Sequence, residues 1–405
     1  MMVFEMVQTK DTGVDRISDC LDGKRIALVI SGGIAATESI KISREIRRYG
    51  GSVYPILTKS AEKIITPLAV SWGAGGASVT DEWNYKMAQL ESFDGVLLAP
   101  ATRNTIAKFV HGIIDSPALM SLSAASGNQT PMLFVPSMHN DLFDDPVTDE
   151  LLKSVTEKGV EILLSDSVEG RRKQPDPVSI VAKLCHIINS RLSSRTRIAI
   201  TLGATRSPID SVRFIQNSSS GKTGWSIAEH LYRMGHDVIC VVGETKYEPS
   251  FLLPDVRKTS DPDRILEFCI DLASSSNPPG LWIHCAAILD YQSEKERGKR
   301  KSDTGEWNLT LYPSVKHLGE LSKYTTGSTR IGFKLEDDSD EEFLIPRAYD
   351  LISKYGLDAV VANLISEASG SLPLRCRIVF SGNEVQEITT LQELCETLES
   401  MISEN

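Results

Sequence analysis

A serine-rich stretch ahead of a glycine and a lysine has the clearest capacity for phosphate chemistry in this sequence. Residues 212–231 read VRFIQNSSSGKTGWSIAEHL, with a Gly-Lys-Thr triplet starting at Gly221. A P-loop of the form G-x-x-x-x-G-K-[ST] needs a glycine five positions before Gly221, where Gln216 stands. A polar segment containing a proline also separates the triplet from the nearest strand candidate, 197–205. The sequence therefore excludes a P-loop and indicates another use for these polar residues at a helix start.

Two turns in the first half of the chain also offer polar groups. Ser31-Gly32-Gly33 lies between a strand candidate and a helix candidate, where unpaired N–H groups and the helix dipole favour a phosphate. A plain tight turn explains the same two glycines equally well. The other stretch, APATRNTIAK at 99–108, places hydroxyl and amide groups where a strand ends and the next helix begins.

These turns belong to two β-loop-α-β units. In 24–58, an apolar strand over 26–30 meets the Gly-Gly turn, and a helix with one apolar face leads to a strand over 53–57. The same pattern recurs in 197–242, which ends in a strand over 238–242. Such units imply parallel sheets with right-handed crossovers.

Continuous apolar runs predict further strands that are covered on both faces. They are 95–100, 131–136, 281–287 and 357–363. A polar Ser/Arg stretch near 188–196 follows a helix-like segment and marks a boundary. We predict two doubly wound, mostly parallel, three-layer α/β domains, residues 20–190 and 195–405.

In such sheets a ligand lies at the carboxyl ends of the strands. This rule selects the loops 31–36, 100–105, 136–140, 203–224, 286–291 and 363–366. The segment 290–308 is long, charged and contains glycine. Loops of that length are usually functional flaps or disordered excursions.

Bulk properties restrict the function. The 405-residue chain is 41% hydrophobic and 24% charged, as is ordinary for a soluble globular protein. Its formal net charge of −11 argues against general binding to nucleic acids or anionic membranes, because both need a basic surface. No run approaches about 18 apolar residues, and the start has no apolar signal region. The seven cysteines form no C-x-x-C pair, so we expect a cytoplasmic protein with mostly buried thiols.

Three motifs of the first half, SGGIAATES, APATRNTIAK and VPSMHNDLF, resemble the FMN-binding domain of phosphopantothenoylcysteine decarboxylases. In that family they read roughly G-[GS]-I-A-A, A-P-A-T-A-N-T and P-A-M-N. The resemblance implies a flavodoxin-like domain in which FMN oxidises the cysteinyl substrate, CO2 is lost, and the reduced flavin returns hydride. It assigns FMN binding to Ser31, Gly32, Gly33, Ile34, Thr58, Pro100, Ala101, Thr102, Asn104 and Thr105.

The decarboxylase motifs depart from the family at its catalytic groups. Counting back from Asp94, Lys86 stands where the family has its catalytic histidine. A protonated lysine binds a carboxylate as a point charge but is a poor base. His139 takes the asparagine position of P-A-M-N and offers acid–base capacity. The family's flap cysteine is absent from 163–176, so the sequence favours FMN binding but leaves decarboxylation open.

The second half is similar to phosphopantothenate–cysteine ligases. GATRSPIDSVRFIQNSSSGKTG resembles the family signature G-G-T-x-E-P-I-D-x-V-R-x-I-x-N-x-S-S-G-K-M-G, and CAAILDYQ, GKRKS, IGFKLE and LDAVVAN resemble its later motifs. The two sets of motifs keep the family order from about residue 24 to 400. By this resemblance the chain is identified as a member of the fused, bifunctional coenzyme A biosynthesis family, with a Rossmann-like ligase domain.

In the ligase family, 4′-phosphopantothenate attacks the α-phosphorus of CTP, pyrophosphate leaves, and the amine of cysteine displaces CMP. The resemblance makes the serine turn an anion cradle, and it makes Asn217 the holder of the acyl-cytidylate carbonyl. Lys299 matches the flap lysine, with Lys301 as a nearby substitute. The implied nucleotide and substrate contacts are Arg213, Ser219, Ser220, Gly221, Lys222, Ala286, Ala287, Asp290, Pro313, Val315, Phe333 (against the cytosine) and Lys354.

Several points stay open at this level. Asp350 stands where the family has a second lysine on the helix of Lys354, and CTP is not distinguished from ATP. The sequence has no metal-ligand cluster, although a triphosphate normally travels with Mg²⁺. The resemblance also implies a homo-oligomer.

The sequence leaves two other functions open. One is a ligase whose N-terminal domain only binds FMN or oligomerises. The other is a dinucleotide-dependent oxidoreductase, which is weak because neither 32–37 nor 203–208 gives G-x-G-x-x-G.

Overall fold

The structure, a computed structural model, describes residues 13–77, 79, 93–165, 167–168, 171–301, 305–369 and 373–403. The chain divides into two compact units. The N-terminal unit comprises Met1–Arg191 with Arg233–Gly235, and the C-terminal unit comprises Leu192–Tyr232 with His236–Asn405. In the part of the chain described, no helix combines the length and the apolar character needed to cross a membrane.

The N-terminal unit is built on a parallel five-stranded sheet of order β2-β1-β3-β4-β6, with a small antiparallel sheet of order β5-β8-β7. Its strands are β1 Arg25–Ile30, β2 Ser52–Leu57, β3 Gly95–Ala101, β4 Met132–Pro136, β5 Met138–His139, β6 Glu161–Ile162, β7 Ser167–Val168 and β8 Arg171–Arg172. Its helices are α1 Ser39–Arg48, α2 Pro67–Gly73, α3 Arg103–Val110, α4 Pro117–Gly127, α5 Asn140–Phe143, α6 Pro146–Glu157 and α7 Pro177–Asn189. A short 3-10 helix, Ile34–Glu38, precedes α1.

The C-terminal unit contains an eight-stranded sheet of order β13-β12-β9-β14-β17-β18-β19-β20, with two antiparallel ribbons, β10-β11 and β15-β16. The strands are β9 Arg197–Leu202, β10 Arg206–Pro208, β11 Phe214–Gln216, β12 Asp237–Val242, β13 Asp255–Lys258, β14 Leu281–His284, β15 Tyr291–Ser293, β16 Leu311–Pro313, β17 Thr329–Glu336, β18 Ala359–Leu364, β19 Cys376–Phe380 and β20 Val385–Ile388. The helices are α8 Lys222–Arg233, α9 Pro262–Ala273, α10 His317–Leu321, α11 Glu341–Tyr355, α12 Ile365–Ser369 and α13 Leu391–Ser403.

A repeated local signal starts several helices. A polar residue followed by proline begins α2, α4, α6, α7 and α9, and in each case the polar side chain accepts a hydrogen bond from a backbone N–H of the first turn. Proline suits the first helical position because its missing N–H would have no intrahelical partner there. The caps are Thr66, Ser116, Asp145, Asp176 and Asp261.

The central strands are buried on both faces, as their continuous apolar runs predict. Every residue of β3 is buried, and in β1 and β9 only the first residue is partly exposed. The predicted fold class, two mostly parallel α/β units, is confirmed. Six of the seven cysteines are buried, as expected, and Cys285 is half-buried.

Two predictions of local structure need correction. Strand β14 ends at His284 rather than at residue 287, because the following residues turn to join the loop after β9. The antiparallel edge formed by β19 and β20, which continues the parallel sheet beyond β18, was not predicted. The charged segment 290–308 begins at β15 and ends shortly before β16, and these two strands pair in antiparallel register.

Candidate functional sites

The first candidate site lies where the order of the N-terminal sheet reverses, between β1 and β3. Hydroxyl groups join the loops after these two strands. The Ser31 hydroxyl donates to the Pro100 carbonyl oxygen (2.7 Å) and accepts from the Thr102 backbone N–H (2.9 Å). The Thr102 hydroxyl lies 3.1 Å from that of Thr105, on the first turn of α3. A ligand at this switch point would meet neutral hydroxyl and backbone groups.

The two glycines of the first turn differ in what they tolerate. A Cβ on Gly32 would overlap Cβ of Ser60, so glycine is needed there for packing within the chain. A Cβ on Gly33 would meet only Thr102 and Pro100 at ordinary contact distances of 3.6 Å and more. Gly33 also has an extended backbone, with φ of −128°. Nothing within the described chain therefore requires a glycine at position 33.

The other predicted FMN residues lie around this switch point or at its surface. Thr58, at the end of β2, donates its backbone N–H to the Ile30 carbonyl oxygen at 3.0 Å. Pro100 and Ala101 are buried at the end of β3, whereas Asn104 is exposed. Ile34 is 79% exposed, an unusual state for a large apolar side chain beside a polar loop.

Of the predicted catalytic residues of this half, the structure describes one. His139 is exposed, ends β5 and occupies the N-cap position of α5. Lys86 lies outside the described residues. The segment 163–176 is described only in part, and His139 pairs in antiparallel register with Arg171 of that segment.

In the C-terminal unit, the loops after β9 and β14 are joined by backbone hydrogen bonds. Ala287 donates its N–H to Gly203 (2.8 Å), and its carbonyl accepts from the Thr205 N–H (3.2 Å). The Asn217 side-chain amide donates to the carbonyls of Ala287 and Ile288, both at 3.2 Å. The reversed amide orientation would place its oxygen against two carbonyl oxygens. Asn217 therefore ties the serine turn to the predicted A-A motif, 70 residues away in sequence.

The serine turn is fixed by its glycine and by the loop after β12. Gly221 has φ of +77°, and a Cβ there would overlap the Thr245 side chain. The Ser220 carbonyl accepts the N–H groups of Lys246 (3.0 Å) and Tyr247 (3.2 Å). Ser219 is half-buried; Lys222, exposed, is the first residue of α8. This placement aims the N-terminal N–H groups of a twelve-residue helix out of the turn.

A buried carboxylate holds Arg300, in the middle of the charged flap (residues 290–308). Asp210 accepts from the backbone N–H groups of Val212 and Arg213 (2.7 Å each) and from the Arg300 N–H (3.3 Å). The Arg213 guanidinium lies 2.5 Å from the same carboxylate. Burial alone would raise the pKa of Asp210, but these N–H groups and the guanidinium lower it to about 2.

The two arginines that bond to Asp210 also contact a tryptophan of the flap. Arg213 and Arg300 both lie over the Trp307 ring, with guanidinium carbons 5.2 and 4.9 Å from its centroid. Arg213, predicted to contact a carboxylate or phosphate of the substrate, is thus engaged by Asp210 and Trp307 in this structure. Lys299 and Lys301 flank Arg300 and are both exposed, so the structure does not choose between them.

Four of the predicted nucleotide residues surround a cavity of about 260 Å³ at the carboxyl ends of β9, β14 and β17: Ala286, Asp290, Val315 and Phe333. Its walls also include α10 and the end of α11. Ala287 is joined to this wall through the loop, whereas Pro313 is exposed at the end of β16. Lys354 is exposed near the end of α11, beside Tyr355, which lines the cavity.

Charged groups at the cavity are paired with one another. Asp290 and Lys316 form an ion pair although their side chains are 68% and 58% exposed, so the pair contributes little stability and is free to exchange partners. Lys334 lies 2.9 Å from Glu336, which Arg347 also contacts at 2.6 Å.

Sequence reasoning missed two histidines in this cavity. His284 ends β14 and His317 begins α10, and both are buried. Burial, with the charge of Arg330 and the neighbouring His317, lowers the pKa of His284 to about 3; burial lowers that of His317 to about 4. Both imidazoles are therefore neutral at pH 7. A polar residue at the carboxyl end of an otherwise apolar strand was the signal available for His284.

The described residues contain no group of three or more His, Cys, Asp or Glu side chains arranged to hold a metal ion.

Two family matches divide the chain. Residues 193–396 match the family described as DNA/pantothenate metabolism flavoprotein C-terminal domain. Residues 15–189 match the family described as Flavoprotein. The first half of the chain is thus a flavoprotein domain.

Similar proteins extend over nearly the whole chain. The coenzyme A biosynthesis bifunctional protein CoaBC of Thermococcus kodakarensis is 31% identical over 357 residues, which cover 87% of this chain and 87% of that protein. The CoaBC protein of Methanocaldococcus jannaschii is 32% identical over 356 residues, 86% of each chain. A solved C-terminal domain of a CoaBC protein is 27% identical and covers 53% of this chain and 97% of that one, with a TM-score of 0.43.

Proposed function

The chain belongs to the family of CoaBC coenzyme A biosynthesis bifunctional proteins, and on that premise we propose two consecutive reactions for it. The C-terminal unit ligates 4′-phosphopantothenate with cysteine at the expense of CTP. The N-terminal unit, with FMN, decarboxylates the product to 4′-phosphopantetheine. The product of ligation is the substrate of decarboxylation, because the CO2 that is released comes from the carboxylate of the ligated cysteine.

One observation carries the ligase assignment. The A-A motif and Asp290, Val315 and Phe333 meet around one cavity although they come from separate segments. The Asn217 side chain connects that wall to the serine turn through two hydrogen bonds. This connection supports the proposal that the base-binding and phosphate-binding elements belong to one site.

The chemistry of ligation fits these elements. A carboxylate oxygen of phosphopantothenate attacks the α-phosphorus, and the bond to the β-phosphate oxygen breaks as pyrophosphate leaves. The cysteine amine then attacks the acyl carbon, loses a proton and expels CMP. The N-terminal N–H groups of α8 and the Lys222 charge favour bound phosphates. Lys299 or Lys301, on the anchored flap, would offset the charge of the departing pyrophosphate.

Asn217 has a double role in this proposal. Both of its amide hydrogens are donated to backbone carbonyls in this structure. Holding the acyl-cytidylate carbonyl requires one of these bonds to be exchanged for the substrate. The remaining bond would keep the donor oriented, as preorganised electrostatic stabilisation requires.

The first site fits a phosphate-bearing flavin. The hydroxyls of Ser31, Thr102 and Thr105 order its loops at a sheet switch point, and position 33 leaves room for close approach. When bound, FMN supplies the two-electron redox chemistry that loss of CO2 from a cysteinyl group needs. The chain's own residues hold the cofactor phosphate and position the substrate. His139 is the described candidate for proton transfer, and Lys86 would bind the substrate carboxylate.

Two further features follow from the same premise. Mg²⁺ would enter with the triphosphate, held mainly by phosphate oxygens, as this cation prefers few protein ligands. A homo-oligomer is supported by large apolar side chains exposed on the N-terminal unit, such as Ile34, Ile114 and Leu142.

The proposal is tested with the full chain in three assays. Pyrophosphate release is followed with 4′-phosphopantothenate and cysteine, using CTP and ATP in parallel, and we expect CTP to be preferred. The purified protein is then examined for a flavin spectrum and incubated with 4′-phosphopantothenoylcysteine while CO2 is measured. No nucleotide-dependent pyrophosphate would refute the ligase. A flavin spectrum without CO2 would reduce the first half to an FMN-binding module, and regained turnover in Lys86→His would locate the defect.

A further inference from the structure

The floor of the C-terminal cavity contains a polar atom that the proposed chemistry does not use. His284 is 8% exposed and its ring lies nearly parallel to that of Trp282, with centroids 6.1 Å apart and an interplanar angle of 13°. Its Nε2 atom is buried and has no hydrogen-bond partner among the described residues. A buried polar atom without a hydrogen-bond partner costs free energy, and native proteins nearly always pair such atoms. The unpaired Nε2 therefore indicates a bound group as its partner.

The surroundings of His284 point to a neutral partner. Burial, Arg330 and His317 keep the imidazole uncharged, since its pKa lies at about 3. A neutral imidazole offers one donor and one acceptor, which suits the polar edge of a nucleobase better than a phosphate. Arg330 is itself engaged in the cavity walls, because its guanidinium donates to the carbonyls of Tyr355 (2.5 Å) and Leu318 (2.6 Å).

The position of His284 matches that partner. It lies on β14 two residues before Ala286, and it lines the same cavity as Phe333, the residue assigned to the face of the base. The base face would thus contact an aromatic ring while its edge points toward the end of β14. Adjacent strands place Thr201 and Gly332 opposite His284, so the histidine is the large side chain at this level of the three strands.

We propose that His284 reads the edge of the nucleobase and selects cytosine over uracil. This inference rests on the proposed ligase function. In uracil a carbonyl replaces the exocyclic amine and an N–H replaces the ring nitrogen acceptor, so donor and acceptor are exchanged at these two positions, while the other carbonyl is the same in both bases. In either neutral tautomer Nε2 is a donor or an acceptor but not both, so it fits one of these edges and leaves the other with an unmatched polar atom.

The test compares CTP with UTP in the pyrophosphate assay of the full chain. His284→Phe keeps the ring volume and removes the polar nitrogens, so the ratio of kcat/KM for CTP over UTP should fall about tenfold. His284→Gln, which carries a polar atom at nearly the same reach as Nε2, should keep more of the ratio than His284→Asn, which is too short. Trp282→Phe is the matched control, because it disturbs packing on the same strand face and should affect both nucleotides alike.

The outcomes separate the inference from its premise. An unchanged ratio in His284→Phe overturns the role of His284 even if the wild type is an active ligase. If the Phe variant does not fold, equal ratios in the Gln and Asn variants overturn it instead. A ratio that falls equally in Trp282→Phe shows a packing effect and also overturns it. A wild type without nucleotide-dependent pyrophosphate release refutes the ligase function itself.

Discussion

The two units place their candidate sites at the same point of a parallel sheet but build them from different groups. In each unit the loops follow two adjacent strands at which the strand order reverses, β1 and β3 in the first and β9 and β14 in the second. The first site is joined by neutral hydroxyls, those of Ser31 and Thr102. The second is bordered by charged pairs, Asp210 with Arg213 and Asp290 with Lys316.

This difference matches the ligands that the two sites are proposed to take. Hydroxyl and backbone groups hold a phosphate without needing to exchange ion pairs, which suits a cofactor that stays bound. The exposed pair of Asp290 and Lys316 contributes little to stability and can exchange partners, which suits a triphosphate that must enter and leave as pyrophosphate and CMP. On these proposals, one sheet geometry serves both a resident cofactor and a passing substrate, according to the groups on its loops.

The largest expected effect separates the two units by activity. Asn217→Ala should reduce amide formation by about 10²–10³-fold, because an oriented donor is lost at the acyl carbonyl. Equilibrium binding of CTP should remain, and decarboxylation of added 4′-phosphopantothenoylcysteine should be unchanged. The measurement is amide product and CO2 from the same preparation. Near-normal amide formation would remove Asn217 from the site.

The second prediction concerns acid stability of the C-terminal unit. The pKa values of His284 and His317 are lowered from the usual 6.5 to about 3 and about 4. Between pH 6.5 and these lower values the unfolded chain therefore binds more protons than the folded one. Above about pH 6.5 neither histidine lowers stability. Below it the free energy of unfolding falls by about 1.4 kcal/mol per pH unit for each histidine, down to the folded pKa of about 3 or 4. Urea unfolding at pH 7, 5.5 and 4.5 should show it, and a doubly substituted Gln variant should show a flatter dependence. Equal pH dependence in both proteins would contradict this assignment.

The third prediction tests whether the charged anchor matters beyond folding. Asp210→Asn keeps an acceptor for the backbone N–H groups but removes the charge that holds Arg213, so ligation should slow by roughly tenfold through a misplaced flap. Because the pKa of Asp210 is about 2, the wild type is ionised at every pH above about 3, and its rate should show no step from this group. Asp337→Asn, an exposed N-cap in the same unit, is the matched control. Equal rates in the two variants would make the anchor purely structural.

The smallest expected effect concerns the two glycines of the first site and separates packing from flavin binding. Gly33→Ala should leave stability within about 0.5 kcal/mol, because the added Cβ meets only ordinary contacts. Gly32→Ala should be clearly destabilising, because its Cβ overlaps Ser60. Flavin titration of the folded Gly33→Ala protein is then decisive. Weakened binding would mean that the cofactor approaches this backbone, and unchanged binding would remove Gly33 from the site.

The elements were more predictable than the partners of their side chains. The strand over 26–30 and the helix start after Thr102 follow from apolar runs and turn residues, which act within a few positions. The edge strands β19 and β20 were missed because pairing with β18 is a tertiary choice. His284 was missed as a site residue because, within an apolar run, a strand-end histidine looks like any buried residue.

The sequence by itself determined the two parallel α/β units, their turns and the family, because apolar runs, turn residues and motifs are patterns of residues close together in the chain. Only the tertiary structure decided which groups face one another. Asn217 finds its acceptors 70 and 71 residues away, and Asp210 accepts from a flap residue 90 positions later. The physical reason is that hydrogen bonds and burial depend on distance in space, and a sheet brings the ends of remote strands together only after the chain has folded.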